Sequence, residues 1–381
     1  MDSREDLDSQ NLAISFKVLA RSGRARLGSM LTRHGRLDTP LFMPVGTQAT
    51  VKALTPQEVA DTGARMIIMN TYHLWLRPGP DVVKDQGGLH GFSKWPHAIA
   101  TDSGGFQAYS LGALVKITEE GIAFQSHLDG SRRMLTPEES LRIQGLLGSD
   151  IAMQLDVCAD ARSSPEVFLA AMERTTRWAK RSIVARNRGQ ALFGIIQGGT
   201  NLDLRRRHAY ELAELPLDGL ALGGFSVGEP TQVMEDLLDQ LVPHVDEQRP
   251  RYLMGVGTPS NLVHAVATGI DIFDCVLPTR NARNGQAFTN SGRLVIKQAC
   301  YKNDPRPLEE ECQCPTCTLK FSRAYLRHLF MSREILSHRL LTLHNLHFYG
   351  RLMIDAREAI ANGSFAPWAE ELLARWQSPN T

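Results

Sequence analysis

The sequence predicts an α/β fold, a (β/α)₈ TIM barrel that carries an inserted β-hairpin and a C-terminal subdomain built around a cysteine cluster. Eight short apolar runs alternate with segments of helical pattern between residues 41 and 275. Three cysteines are crowded into residues 312–317. The chain has 381 residues, which is more than a barrel alone needs. A doubly wound open sheet is the alternative fold for alternating strands and helices.

The eight apolar runs are the predicted barrel strands. Each is nearly continuous in apolar residues, which is expected of parallel strands that helices cover on both faces. In chain order they are LFMPVG (41–46), MIIMN (66–70), AIATDSGG (98–105), IAMQLDV (151–157), LFGIIQGG (192–199), GLALGG (219–224), YLMGVG (252–257) and IDIFDC (270–275).

Helical segments separate most of these runs. TPQEVADTG, from Thr55, and TPEESLRIQGLLG, from Thr136, each place a threonine cap before a proline in the first turn. The later segments are SPEVFLAAMERTTRWAKRSIVARN, TNLDLRRRHAYELAEL, TQVMEDLLDQLV and TPSNLVHAVATG. Strands and helices that alternate in this way favour the barrel.

Two parts of the chain interrupt the alternation. Residues 110–137 predict the inserted β-hairpin, with its turn at LDGS (128–131). After the eighth run, a strand pair around GQAFTNSGRLVIK precedes the cysteine cluster and the helical C-terminal segments. We therefore expect three segments: a barrel with the catalytic site over residues 1–289, a zinc-binding insertion over 290–350, and C-terminal helices that pack on the barrel over 351–381.

Composition predicts a soluble globular protein. Hydrophobic residues make up 43% of the chain and charged residues 22%, which suffices for a sizeable core. The acidic N-terminus, MDSREDLDSQNLAISF, lacks the apolar segment of a secretory signal, and no run approaches 18 apolar residues. Six cysteines in so long a chain do not indicate a disulfide framework. We expect a cytoplasmic protein with no membrane contact.

The distribution of charge is more informative than the net charge of +1. Residues 251–351 contain 13 Lys and Arg against 7 Asp and Glu, a net charge of +6. A nucleic acid would dock on this basic segment, if one binds. A solvated charged face accounts for the same numbers.

The cysteine cluster predicts one structural zinc ion per chain. Cys312, Cys314 and Cys317 have a C-x-C-x₂-C spacing that brings three thiolates within reach of one ion. His344, after a long helical segment, is the expected fourth ligand, and a filled tetrahedral site leaves no open position for catalysis. The alternatives for the fourth position are His338, His347 and Cys300.

Functional residue types stand where the predicted strands end. Asp102, Asp156 and Asp274 lie at the ends of three apolar runs, and Gln197 and Gly224 at the ends of two others. Barrels of this kind carry their active sites at the carboxyl ends of the strands. Two carboxylates suffice for glycosyl transfer with retention, because one attacks the anomeric carbon while the other moves protons. A single aspartate at a strand end is more commonly a cap or an ion-pair partner, so the hypothesis depends on the whole set.

The same positions would suit a planar base. Asp156 can accept from a guanine-like N–H edge, and Gln197 offers both a donor and an acceptor. The glycine pair at 223–224 exposes backbone N–H groups. Phe106 and Met254 could sandwich a base, as in pockets that take flipped bases, although core packing accounts equally well for Met254.

The stretch FDCVLPTRNARNG (273–285) joins a carboxylate to a basic loop. Asp274 ends an apolar run, and Arg280 and Arg283 follow within ten residues. A carboxylate repels phosphate and arginine attracts it. A site that holds a phosphate backbone while it attacks a nearby carbon would need both.

Six motifs, taken in order, resemble the tRNA-guanine transglycosylase family, also called queuine or preQ1 tRNA-ribosyltransferases. They are TDSGGFQ, FGIIQGG, GGFSVGEP, YLMGVG, FDCVLPTRNARNG and CQCPTC followed by HN. The resemblance runs from about residue 14 to about residue 360. It implies a (β/α)₈ barrel with a zinc subdomain in a homodimeric enzyme of the bacterial type.

The resemblance also implies an activity. The enzyme would exchange the guanine at wobble position 34 of tRNAs with a GUN anticodon (Asp, Asn, His, Tyr) for preQ1, in queuosine biosynthesis. The exchange would be a double displacement through a covalent enzyme–tRNA intermediate. Asp274 would be the nucleophile at ribose C1′, and Asp102 the acceptor of the proton from the incoming base.

Three further sets of residues carry over by position. The substrate would be bound by Asp102, Ser103, Gly104, Gly105, Phe106, Asp156, Gln197, Gly224 and Met254. The RNA would be contacted by Gly255, Val256, Gly257, Thr258, Pro259, Ser260 and Asn261, and by Thr279, Arg280, Asn281, Ala282 and Arg283. Zinc would be held by Cys312, Cys314, Cys317 and His344.

The chain departs from the family pattern around the base pocket. Val157, followed by CADARSSPE, stands where the family often has glutamate and then a Thr-Pro-aromatic-Pro run. Phe225 replaces a commoner leucine. Val227 resembles the preQ1-using branch, because queuine users tend to have glycine there.

Two other functions remain as alternatives. One is a non-catalytic RNA-binding subunit of the same fold, against which the presence of both Asp102 and Asp274 argues. The other is a TIM-barrel glycoside hydrolase. That class needs neither the cysteine cluster nor the TRNAR loop, and its sugar sites usually show more tryptophan than five in 381 residues.

Overall fold

The computed structural model describes residues 13–377, and within them eight parallel strands close into a barrel. Each barrel strand pairs with its neighbours in chain order, and the last pairs with the first through Ile272↔Leu41 and Phe273↔Phe42. The barrel strands are β4 (Leu41–Gly46), β5 (Met66–Met69), β6 (Ala98–Thr101), β10 (Ile151–Met153), β11 (Ala191–Ile196), β12 (Gly219–Leu222), β13 (Arg251–Leu253) and β14 (Ile272–Cys275). The predicted barrel is confirmed, and the open sheet is excluded.

Several strands are shorter than their apolar runs. The runs predicted over 98–105, 151–157 and 192–199 contain strands that end at Thr101, Met153 and Ile196. The remaining residues of each run form loops at the carboxyl end of the barrel. Those loops are buried, so their hydropathy continues that of the strands.

An antiparallel sheet that the sequence analysis did not predict precedes the barrel. It consists of β1 (Ser15–Ser22), β2 (Ala25–Thr32) and β3 (Gly35–Thr39). Buried Arg26 on β2 donates through Nε to Asp271 Oδ1 at 2.7 Å, just before β14 begins. This sheet therefore lies at the amino end of the barrel strands, opposite the end that carries the predicted site.

The insertion at 110–137 contains the predicted hairpin and one strand more. Strands β8 (Ile122–Gln125) and β9 (Arg132–Leu135) pair antiparallel around the LDGS turn. Strand β7 (Ala113–Ile117) adds to the other edge of β8, so the insertion is a three-stranded sheet. The strand pair after the barrel is β15 (Gln286–Thr289) with β16 (Gly292–Val295), as predicted.

Helices occupy the six segments predicted between the barrel strands, and helices that were not predicted lie within residues 71–111 and, after β14, at residues 277–283. They are α1 (Pro56–Asp61), α2 (Thr71–Leu76), α3 (Pro80–Asp85), α4 (Gly88–Ser93), α5 (Gly105–Leu111), α6 (Pro137–Leu147), α7 (Pro165–Ala185), α8 (Leu202–Ala213), α9 (Thr231–Leu241), α10 (Pro259–Thr268) and α11 (Leu277–Arg283). Thr55 and Thr136 accept from backbone N–H groups of their first turns, so the predicted caps form.

The C-terminal part is helical. It contains α12 (Pro315–Thr318), α13 (Arg323–Met331), α14 (Ile335–Ala361) and α15 (Phe365–Gln377). Helix α14 is continuous across residue 350, so the predicted boundary between the second and third segments would pass through it. Residues 1–12 and 378–381, the outer ends of the first and third segments, lie outside the described residues. Within residues 13–377, no helix combines the length and apolar character needed to cross a bilayer.

Candidate active site and metal centre

The carboxyl ends of the barrel strands surround a cavity of about 680 Å³. Asp102, Asp156 and Asp274 all line this cavity, although up to 172 residues separate them along the chain. Its other predicted lining residues are Ser103, Phe106, Gln197, Gly224, Met254, Gly255, Gly257, Thr258, Asn261 and Arg280. The structure thus brings the three predicted carboxylates and most of the predicted substrate-binding residues into one concave site, whereas Gly104 and Gly105 do not line the cavity.

Asp274 lies on β14 and is held through one oxygen. Its Oδ1 accepts from the Tyr252 hydroxyl at 2.6 Å and from the Gly255 backbone N–H at 2.9 Å. Among the described residues, Oδ2 receives no such bond. Burial raises the pKa of Asp274, and the two hydrogen bonds oppose that rise. The carboxylate is therefore fixed in orientation while one oxygen stays available for chemistry.

Asp102 follows β6 and accepts several hydrogen bonds. Asn70 Nδ2 donates to Oδ2 at 2.5 Å, and the backbone N–H groups of Thr71 and Gly104 donate to Oδ1 at 2.8 and 3.2 Å. Asn70 also caps helix α2, because its Oδ1 accepts from the His73 N–H at 3.0 Å. Burial raises the pKa of Asp102 to about 7 despite these bonds, and the nearby charge of Asp274 adds to the rise. A group with this pKa can both donate and accept a proton near neutrality.

Asp156 and Gln197 form the polar side of the cavity. Gln197 Nε2 donates to Asp156 Oδ2 at 2.7 Å, and Gln197 itself is buried. Burial raises the pKa of Asp156 to about 6, and the bonds from Gln197 and Ser103 oppose that rise. An ionised Asp156 would leave acceptor capacity for the N–H groups of a base.

Glycine is required at Gly224, which has φ +67°. A Cβ there would lie 2.6 Å from Gln197 Oε1, so any side chain would displace the glutamine. At Gly105, a Cβ would lie 2.7 Å from Leu155 Cδ1. Phe106 is 50% exposed at the mouth of the cavity, on the first turn of α5.

The predicted RNA-contacting residues lie in two stretches beside the cavity. Residues 255–261 form the loop after β13 and the first turn of α10. Residues 279–283, predicted as a loop, lie on helix α11, and not all of these residues can present a side chain. Val256, Thr279 and Ala282 are buried. Arg280 is exposed and lines the cavity, whereas Arg283 donates through Nη1 to Thr279 O at 2.9 Å. The Gly255–Asn261 loop ends in the cap of α10, where Thr258 accepts from the Asn261 N–H. The exposed side chains available to RNA in these two stretches are those of Thr258, Ser260 and Arg280.

Several residues that shape this site were not predicted from the sequence. Asn70, Tyr252, His73 and Cys158 line the same cavity. Asn70 ends a predicted strand, which was the available signal, but a lone polar residue there does not reveal its partner. Tyr252 begins a predicted strand and gave no such signal.

The predicted metal ligands meet at a second site. The Sγ atoms of Cys312, Cys314 and Cys317 lie 3.6, 3.5 and 3.4 Å from His344 Nδ1. A tetrahedral zinc ion would separate sulfur and nitrogen ligands by about 3.5 Å. His344 Nε2 lies 2.7 Å from Phe288 O, and donation to that carbonyl leaves Nδ1 with a free lone pair. The four side chains could therefore hold one metal ion with no position left open.

The alternatives for the fourth ligand are not part of this cluster. His338, His347 and Cys300 do not join the group of mutually close ligand atoms. Cys300 is exposed. His344 is therefore the ligand that the fold supplies.

A second group of ligand types, at the amino end of the barrel, is less suited to a metal. His34 Nδ1 lies 2.7 Å from Asp150 Oδ1, and His90 Nε2 lies 3.0 Å from His97 O. The His34 and His90 rings are stacked, with centroids 3.6 Å apart and planes inclined by 14°. One ion cannot lie in the plane of both rings in this arrangement. The group is a hydrogen-bonded ring stack on a buried carboxylate.

Comparison with known proteins gives a consistent picture. The sequence model of the family described as queuine tRNA-ribosyltransferase matches residues 21–378. A queuine tRNA-ribosyltransferase of Sorangium cellulosum is 59% identical over 372 residues, which cover 98% of this chain and 94% of that protein. Proteins of the same name from Pelotomaculum thermopropionicum and Desulforamulus reducens are each 54% identical, over 96% and 94% of this chain and 100% and 97% of their own lengths.

Proposed function

The chain belongs to the queuine tRNA-ribosyltransferase family, and we propose that it exchanges guanine at wobble position 34 of GUN-anticodon tRNAs (Asp, Asn, His, Tyr) for preQ1, in queuosine biosynthesis in the cytoplasm. One observation carries the proposal. Asp274, held through one oxygen, shares a cavity of about 680 Å³ with Asp102, whose pKa burial raises to about 7. One carboxylate is thus available to attack while the other can move a proton.

The exchange would take place in two displacements at ribose C1′. In the first, an Asp274 oxygen bonds to C1′, the C1′–N9 bond breaks, and its electron pair leaves with guanine, which takes a proton from Asp102. In the second, Asp102 removes a proton from the incoming base, whose nitrogen attacks C1′ and displaces the Asp274 carboxylate. Two inversions give overall retention. Such an intermediate links protein and RNA covalently.

The proposal is tested by base incorporation. The protein is incubated with radiolabelled guanine and either a tRNA-Tyr transcript or the same transcript with adenine at position 34. We expect label in the first RNA alone, because Asp156 and Gln197 match a guanine-like edge. No label in either RNA would exclude base exchange. Release of free base or sugar without incorporation would favour the glycoside hydrolase.

We propose that base selection depends on Asp156. Its carboxylate would accept from two N–H groups of guanine or preQ1, and Asp156→Ala would leave those donors unpaired. We expect kcat/KM for guanine to fall by about 10²-fold, with tRNA affinity unchanged. Steady-state kinetics and filter binding measure the two quantities. Asp38→Ala, at an exposed residue paired with Arg36 on the sheet at the amino end of the barrel, is the matched control and should behave as wild type. A loss of RNA affinity equal to the loss of kcat/KM would place Asp156 elsewhere in the interaction.

We propose that zinc occupies the Cys₃His cluster and that its contribution is structural, because four protein ligands close the coordination sphere. Three of the ligands precede α13, and His344 lies on α14, so the ion would clamp these elements together. Cys314→Ala should therefore reduce zinc from one ion per chain to none and make residues near 312–344 sensitive to protease. Elemental analysis and limited proteolysis measure both effects. Cys300→Ser, at an exposed cysteine outside the cluster, is the control. Full zinc content in Cys314→Ala would contradict the ligand set.

The RNA and a second copy of the chain are the proposed partners. Arg280 on the cavity rim and the basic segment 251–351 support an anionic partner, since arginine neutralises phosphate. Homodimer formation is supported by large apolar side chains exposed around helix α13. Leu319, Met331 and Ile335 are 70%, 56% and 77% exposed. Contact between two such faces would remove apolar surface from water.

The three-segment division remains a proposal in which α14 joins the metal-binding part to the barrel. Asn345 on this helix donates to Pro278 O at 2.9 Å and to Gln286 O at 3.0 Å. Tyr349 on the same helix donates its hydroxyl to Gly257 O at 2.5 Å. These bonds connect the helix directly to α11, to β15 and to the loop after β13.

A further inference from the structure

Arg205 on α8 is buried beneath the base side of the cavity, with no exposed surface. Its Nε donates to Gly199 O at 2.6 Å, its Nη1 to Gly223 O at 3.0 Å and its Nη2 to Gly224 O at 3.1 Å. One guanidinium therefore joins the loop after β11 to the loop after β12. Gln197 belongs to the first of these loops and Gly224 to the second.

The guanidinium also packs against an aromatic ring. Its Cζ lies 3.9 Å from the centroid of the Phe225 ring, in a cation–π arrangement. Among the described residues, Arg205 makes no ion pair with a carboxylate. Burial lowers the pKa of Arg205 to about 10, so the group still carries its charge at neutral pH. Backbone carbonyls and the Phe225 face make the direct contacts that stabilise this buried cation, and the charge of Glu229 adds to them without contact.

Helix α8 also contacts the backbone of Gln197 on the side away from the cavity. His208, three residues after Arg205, lies on the same face of the helix, and its Nδ1 accepts from the Gln197 N–H at 2.8 Å. The carbonyl that Arg205 holds at Gly224 belongs to the residue whose Cβ, if present, would meet Gln197. The spacing between Gln197 and Gly224 therefore depends on contacts made by α8.

We propose that Arg205, with its ring partner Phe225, is a positioning residue that sets the Gly223–Gly224 backbone against Gln197 and so determines affinity for the incoming base. This inference rests on the proposed function for its substrate, a guanine-like purine or deazapurine. Arg205 touches neither base nor ribose. It acts through three carbonyls that a lysine, with one ammonium group, could not bridge together.

The test compares Arg205→Lys with Arg251→Lys. Arg251 is also buried and donates to backbone carbonyls, but it lies on β13 at the amino end of the barrel. We expect both variants to lower Tm, and Arg205→Lys alone to raise KM for guanine, by about 10-fold or more, with kcat at saturating guanine and tRNA affinity within about 2-fold of wild type. Phe225→Leu keeps an apolar side chain without the ring face. It should raise KM by a smaller factor in a protein that folds normally.

Direct binding separates this inference from the proposed function. Calorimetric titration of guanine into wild type and variants without RNA measures base affinity even if no exchange occurs. Weaker guanine binding in Arg205→Lys and Phe225→Leu, with wild-type affinity in Arg251→Lys, supports the positioning role. Equal base affinity in all four proteins, or an equal loss in Arg205→Lys and Arg251→Lys, overturns it. Absence of label incorporation by wild type would instead refute the proposed function.

Discussion

Asp274→Asn is expected to abolish the covalent protein–RNA adduct and to reduce turnover by about 10⁴-fold or more. An amide cannot supply the carboxylate electron pair that bonds to C1′. It can still accept from the Tyr252 hydroxyl and the Gly255 N–H, so the fold and the RNA surface should persist. The adduct is measured as a slow-migrating band of labelled tRNA on a denaturing gel.

Binding and a second variant serve as controls for that experiment. Filter binding should give the Asp274→Asn protein the tRNA affinity of wild type. Tyr252→Phe removes one hydrogen bond from the nucleophile but leaves the carboxylate, so it should form the adduct more slowly without losing it. An adduct trapped by Asp274→Asn would mean that another group attacks, and Asp102 would then be the next candidate.

Much of the barrel could be predicted because its signal is local. Each strand is an apolar run, and several helices begin with a side-chain cap, as at Thr55 and Thr136. The sheet β1–β3 could not be predicted in the same way. No residue of β1 is fully buried, and the strand accordingly has no apolar run. The sheet is joined to the barrel by the pair of Arg26 and Asp271, which are far apart in the sequence.

Within the site, the candidate catalytic residues could be predicted more readily than the residues that hold them in place. Asp102 and Asp274 stand at the carboxyl ends of strands, where (β/α)₈ barrels carry their active sites. Asn70 and Tyr252 act on them from 32 and 22 residues away, and Arg205 acts on a loop 18 residues further along the chain. Such partners are set by the closure of the barrel. These partners can be identified once the fold is known, but no local sequence pattern predicts them.

The two halves of the exchange are expected to depend on pH in opposite directions, because burial raises the pKa of Asp102 to about 7. Below that pH, Asp102 is protonated and can donate to the departing guanine, so adduct formation should slow as pH rises through about 7. Once ionised, Asp102 can accept the proton of the incoming base, so resolution of the adduct should accelerate as pH rises, with a midpoint below that of the first profile because the esterified Asp274 no longer adds its charge. Rapid-quench measurements of each half-reaction between about pH 5.5 and 8.5 would show the two profiles.

Asp102→Asn should remove both pH dependences and slow both half-reactions by about 10²–10⁴-fold, since an amide neither donates nor accepts that proton. Saturating base keeps the ionisation of Asp156, with a pKa of about 6, from entering the second profile. Asn70→Ala provides a finer test. It removes a donor to Asp102 Oδ2, which should shift the midpoint of both profiles upward because the ionised form loses support. Profiles that keep their wild-type midpoints in Asp102→Asn would assign the proton transfer to another group.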